Sequence, residues 1–258
     1  MDSAKISPET QPQTIDEVLK ELDRIIAENT RKNEYLGIFA YIYRRTTAEI
    51  KQGILNGEFE DNEGMERFDV TFAGFYIDAY RKFRRGERPS RSWMASFLAE
   101  NRELSILQHI CLGMNAHINF DLGQVAAKLA PGEKVYSLEK DFMKVNDILQ
   151  SLIDEMQDRL GRTSFLVRLA DWMGGRHDEF LIDFNMRKSR QRAWDIACKL
   201  AFLEGDEKAA VIEELDLEVE SISREIRNPK NYFLGVALRF IHRFEERNVE
   251  KIIHKLTK

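Results

Sequence analysis

His117 and Asp121 stand four residues apart in the segment LQHICLGMNAHINFDLG, residues 107–123. On a helix that spacing is about 6 Å of rise along one face. Two such groups can close on one metal ion, or a carboxylate can hold an imidazole in one tautomer for proton transfer. At about 100° per residue, His109, Gly113, Ala116, His117, Phe120, Asp121 and Gln124 share one arc. Polar side chains on a face that otherwise reads as core need a reason, because burying an unpartnered polar group costs free energy. Gly113 is about 1 kcal/mol less favourable than alanine inside a helix, so it suggests space kept for a neighbour or a ligand. His109 lies about 12 Å of rise from His117 and joins the same site only if the helix breaks near Gly113 or Asn115.

A second set precedes it. Glu66, Asp69, Ala73 and Tyr76 form one helical stripe, with Asp69 between Phe68, Phe72 and Phe75. A carboxylate in that company is expected to be buried, with a histidine, an arginine or a metal as its partner. Glu66 reads equally as a solvated acid near a helix start. Asp141 and Asn146 fall within reach of residue 121 if the helices on either side of Pro131-Gly132 form a hairpin, although an acid in a first turn is commonly a dipole partner. Three readings stay open for the group: core histidines satisfied by buried Asp and Asn, a metal centre, or metal-free acid–base chemistry. The expected catalytic or metal-ligating residues are His117, Asp121, His109 and Asp69, surrounded by Glu66, Tyr76, Asn115 and Asp141. Zinc, iron and manganese all accept such nitrogen and oxygen ligands.

Other chemistries find less support. Arg81, Lys82, Arg84, Arg85, Arg88 and Arg91 fall among Tyr80, Phe83 and Trp93, and Arg187, Lys188, Arg190 and Arg192 form a second basic run. Such clusters can bind phosphates and stack bases, but a helix C-terminus attracts cations anyway, and the net charge is −5. Nucleic acid is therefore the disfavoured partner and a small molecule the favoured one. Walker, dinucleotide-binding, H-E-x-x-H and G-x-S-x-G patterns are absent, as is the E-x-x-H step of helical di-iron proteins. With 43% hydrophobic and 32% charged residues, the chain is too apolar for a disordered protein and too polar for a bilayer protein. The first residues, MDSAKISPETQPQT, lack the apolar core of a signal peptide, so the expected address is the cytoplasm.

The elements that must position these groups are helices. Apolar residues recur every three or four positions from Ile15, behind a Thr14-x-x-Glu17 capping pattern, to Ile253. The expected helices include 36–57, 65–83, a short one from Ser90, one unbroken helix over 104–129, then 142–156, 165–173, 180–202, 211–226 and 233–253. Prolines at 8, 12, 89, 131 and 229 sit at joints or in the tail, where a helical protein tolerates them. The pattern predicts an all-α protein: a disordered polar tail over 1–14, then a single domain of about ten helices over 15–258 with a central polar pocket. A boundary near 161–163 is the one place where the domain could divide.

The strings MERFDVTFAGFYIDAY (65–80), LQHICLGMNAHINFDLG (107–123) and DFMKVNDIL (141–149) together resemble the bacterial family catalogued as domain of unknown function 5995. The similarity covers most of 35–155 and, more loosely, the helices beyond. It implies an all-helical fold and carries no activity. The H-x-x-x-D step at 117–121 is also similar to one element of helical zinc-dependent phospholipases C, whose further histidines and N-terminal tryptophan this chain lacks. The resulting expectation is an enzyme, a metal-dependent hydrolase or oxygenase or a His/Asp acid–base catalyst, acting on a small, partly apolar substrate in a buried pocket. The competing expectation is a non-enzymatic helical module whose buried polar residues specify packing.

Overall fold

A computed structural model describes residues 10–100, 104–149 and 186–257. Among them every regular element is helical and no strand occurs, so the fold is all-α. The first helix, α1 (Ile15–Lys32), starts where the Thr14 hydroxyl accepts from the Glu17 amide, and it ends at Asn33 in the left-handed region. The Glu17 carboxylate reaches past Thr14 to the Gln13 amide, so the expected capping box forms only in half. Val18, Leu22 and Ile25 bury one stripe of α1 against α2 (Leu36–Leu55) and α3 (Asn62–Arg84). Ahead of α1, Pro12 is buried and Arg81 donates to the Thr10 carbonyl, which holds residues 10–14 along α3.

The short α4 (Arg91–Phe97) begins at Ser90, as its sequence suggests. Its first amides, on Arg91 and Ser92, donate to the Asp216 carboxylate at 2.8 and 2.9 Å, a negative group placed at the positive end of a helix. The central rod follows as three consecutive pieces: α5 (Ile106–Met114), a π-helical segment (Asn115–Leu122) and α6 (Gly123–Leu129). The rod lies against α2, α3, α4, α8 (Met186–Ala201) and α9 (Gly205–Arg227). Gly123 allows a close backbone approach to α8, since a Cβ there would stand 2.7 Å from the Ala193 carbonyl oxygen. A 3-10 stretch (Gly132–Leu138) then leads into α7, residues 139–149.

Two expected helices differ from those found. The predicted rod over 104–129 is present but is not uniform, because its centre changes to π pairing. The predicted helix over 233–253 is two helices, α10 (Tyr232–Phe244) and α11 (Val249–Thr257). Distant groups stabilise that break: the Glu245 carboxylate accepts from the Ile106 amide at the start of α5, and Asn33 Oδ1 accepts from the Val249 amide at the start of α11. The expected helix at 165–173, the first residues of that at 180–202 and the boundary near 161–163 lie outside the described residues. Among the described residues no helix is long and apolar enough to cross a membrane.

Candidate functional site

All eight residues of the π segment are buried. In a helix paired i to i+5, residues four apart no longer stand directly above one another. His117 and Asp121 accordingly approach only to 4.0 Å, Nδ1 to Oδ2, which is too long for a hydrogen bond. Asp121 Oδ2 instead accepts from Trp93 Nε1 at 2.8 Å. Asn115 anchors the segment from the other side: its amide donates to the Val219 carbonyl and the Ser223 hydroxyl of α9, and its oxygen accepts from Asn119 Nδ2. Asn115 thus holds the rod against α9 and does not line the cavity described below.

His117 sits in an aromatic box. Phe72 stacks on its imidazole with ring centroids 3.7 Å apart and planes 12° from parallel, and Tyr43 meets it edge-on at 4.2 Å. Phe39 stands further off at 5.8 Å. Neither imidazole nitrogen has a hydrogen-bond partner. Burial, reinforced by the positive charge of Arg190, holds the imidazole pKa well below its ordinary value, so the ring is neutral at neutral pH.

One face of this box opens onto a cavity of about 510 Å³ between α2, α3, the rod, α7 and α8, a size that suits a small organic molecule. Its walls are chiefly apolar, with Ile42, Ile50, Phe68, Met114 and Val145 among them. Asp69 lines it, is 1% exposed as its sequence context predicts, and has no partner for Oδ2. Among the described residues no histidine or arginine bonds to Oδ2. Burial first, and the nearby Glu66 second, raise its pKa to about 7. The Tyr43 phenol, beside the Thr47 hydroxyl one turn along α2, is raised further by burial and by Asp69 and Asp121. Burial also pushes Asp121 well above the carboxylate range, against the lowering effect of its Trp93 bond.

Sequence reasoning missed Arg190. It lines the same cavity at 4% exposure, with its guanidinium 4.6 Å from the Phe142 ring centroid and Nη2 donating to the Phe142 carbonyl. Its Nε has no acceptor. A signal for it exists: Arg190 continues the stripe Ala193, Trp194, Ala197 and Ala201, the buried face of α8. Read as one cation in a basic run, it looks like a surface residue; read at helical period, it belongs to the core.

The remaining expected residues do other work. His109 is stacked on Tyr35 at 4.7 Å, and burial, with His242 nearby, lowers its pKa to about 4. It does not line the cavity, because the rod continues through Gly113 without the break that would bring it round. Glu66 accepts from the Ile15 amide at the start of α1. Tyr76 is buried in the aromatic cluster with Phe39 and Trp93. Asp141 reaches the cavity edge, where both its oxygens accept from the Glu60 and Asp61 amides before α3. Asn146 places its amide 3.6 Å from Met143 Sδ. Gly113 leaves no free space, since a Cβ there would overlap the Phe39 ring. Among the described residues no three His, Cys, Asp or Glu side chains are grouped as metal ligands.

The basic runs are largely neutralised within the chain. Arg81 pairs with Glu21, Arg84 with Glu28 and Glu34, Lys82 with Asp78, Arg85 with Glu87, Arg91 with Glu213 and Arg192 with Glu218. No curated protein and no solved structure matches the chain. The model of a family of unknown function, DUF5995, matches residues 15–229, which include every residue of the cavity and of the aromatic box, and the chain belongs to that family.

Proposed function

We propose that the cavity is the active site of a cytoplasmic enzyme that binds a small, partly apolar molecule and moves a proton on it. One observation carries the reading. Asp69, His117 and Arg190 come from three different helices, line one apolar cavity, and each has a polar atom with no partner inside the protein. The Tyr43 phenol, also in the lining, is a fourth such group; buried polar atoms are nearly always satisfied, so these orphans around one space of ligand size point to a ligand as the missing partner.

The roles follow from protonation. Asp69 exchanges its proton near neutral pH, where a general acid–base is most effective, and takes it from substrate or water as the carboxylate before returning it. Neutral His117 orients the substrate with one donor and one acceptor nitrogen. Arg190 stabilises negative charge that develops in the low-dielectric interior. A divalent zinc, iron or manganese ion held by His117 with Asp121 or Asp69 is the second version of the reading; the first is preferred because Asp121 is engaged by Trp93 and does not line the cavity. The two cysteines, both free, suit a reducing compartment.

The test is mass spectrometry of small molecules retained by the purified full chain, with elemental analysis of the same samples, followed by turnover assays on the molecules found. Asp69→Asn is expected to retain the ligand and lose turnover. His117→Leu is expected to lose both while costing less than about 1.5 kcal/mol of stability, because it removes an unpartnered group at similar volume. Retention without turnover in the wild type would make the protein a binding module. No ligand, no metal and a loss of about 3 kcal/mol in His117→Leu would mean that the polar groups form a packing network and no site.

A further inference from the structure

The cavity's charge balance restricts what can occupy it. Arg190 is the one fully buried cation among the described residues lining the cavity, and among the described residues its guanidinium has no carboxylate partner, its Nε having no acceptor. Asp69 is not that partner. Asp69 Oδ2 and Arg190 Nε each lack a hydrogen-bond partner, so the two groups are not bonded to each other through these atoms. A guanidinium remains charged at neutral pH even when buried. Among the described residues this positive charge is therefore uncompensated in an apolar enclosure, which is strongly unfavourable unless something else neutralises it.

We propose that the natural ligand of this cavity is an amphipathic monocarboxylate, its carboxylate held by the Arg190 guanidinium and its hydrocarbon or aryl portion lying among Phe68, Phe72, Ile42, Ile50 and Met114. The inference rests on the cavity being a small-molecule site. Charge selects the head group, because one guanidinium balances one negative charge and a phosphate dianion would leave a second charge unpaired in an apolar space. Shape agrees, since a guanidinium edge and a carboxylate match as two parallel hydrogen bonds. The hydrocarbon portion meets phenylalanine, isoleucine and methionine side chains, while the other charged residues of the lining, Arg45, Glu60, Asp61 and Asp141, are exposed or only half-buried and keep their charges toward water. Below about pH 7 Asp69 carries its proton and adds a donor without an opposing charge, so anion binding is favoured on that side of its pKa.

Titration calorimetry of the purified full chain with octanoate and with 1-octanol, matched in length and differing in the head, tests this. The wild type is expected to bind octanoate at least tenfold more tightly than 1-octanol. Arg190→Met should abolish the preference, and Arg190→Lys, which keeps the charge without the fork, should keep part of it. Equal or tighter binding of 1-octanol by the wild type would overturn the anionic head group while leaving the cavity as a small-molecule site. A preference that survives in Arg190→Met would overturn the assignment to this residue. Binding of neither probe at millimolar concentration would overturn both this inference and the reading beneath it. The wild-type comparison stands even if Arg190→Met fails to fold.

Discussion

Asp69 shows how a single carboxyl group can tie the cavity's chemistry to the protein's stability. Its pKa, about 7 in the fold, lies above the ordinary carboxylate value, so between those two values the native state holds a proton that the unfolded chain has released. The contribution is fully present below the unfolded pKa and is lost as pH rises through the folded one. Over roughly three pH units at 1.36 kcal/mol each, this amounts to about 4 kcal/mol at most. Asp69→Asn mimics the protonated form at every pH. Urea denaturation of both proteins should therefore show the variant gaining about 2–3 kcal/mol relative to wild type between pH 5 and pH 7.5. A constant difference across that window would mean that Asp69 is ionised in the fold and paired. His109 contributes with the opposite sign, since its lowered pKa costs stability as pH falls toward 4, and comparing the two proteins cancels it.

At the scale of the element, the rod decides the site. Its α5 portion aligns Gly113 with Phe39 of α2, its π segment turns His117 toward the cavity and Asp121 toward Trp93, and its α6 portion packs on α8 through Gly123. Two effects of opposite sign meet at Gly113→Ala. Helix propensity favours alanine by about 1 kcal/mol, whereas overpacking against the Phe39 ring costs about 1–3 kcal/mol. Because Phe39 is 7% exposed and wedged among Tyr43, Tyr76 and Trp93, it has little room to move, and the overpacking term should win. The expected result is a net loss of up to about 2 kcal/mol in denaturant unfolding. A net gain would mean that the glycine faces usable space, as its position in the sequence first suggests.

Across the whole molecule, charge is distributed so that the cationic runs face partners within the chain. Arg81 is buried against Glu21, and Arg84 is held by Glu34, Asn29 and Tyr80. Nucleic-acid affinity comes from cations free to displace phosphate counterions, and these arginines are already engaged. Together with a net charge of −5, this predicts no complex with a short DNA duplex in a gel-shift assay at about 50 mM salt. A complex whose affinity falls steeply between about 50 and 200 mM salt would show that the basic runs act as a phosphate-binding surface.

The all-α class, the cap at Ser90, the burial of Asp69 and the presence of a polar arc on the rod are all legible in the sequence. Each depends on neighbours within one or two helical turns, where side-chain type and a period of 3.6 residues decide which face is apolar. Membership of the family is legible in the same way, from three short strings between residues 65 and 149. What the tertiary structure alone decides is which distant group meets that arc. Phe39 fills the notch at Gly113, Trp93 takes the Asp121 oxygen, Asn33 and Glu245 divide the last helix in two, and the π pairing keeps His117 and Asp121 from bonding to each other. Arg190, the strongest charge in the cavity, reads in sequence as one of several surface cations, because its role depends on the partners it lacks, and no local pattern records a missing contact across 70 to 120 residues of chain.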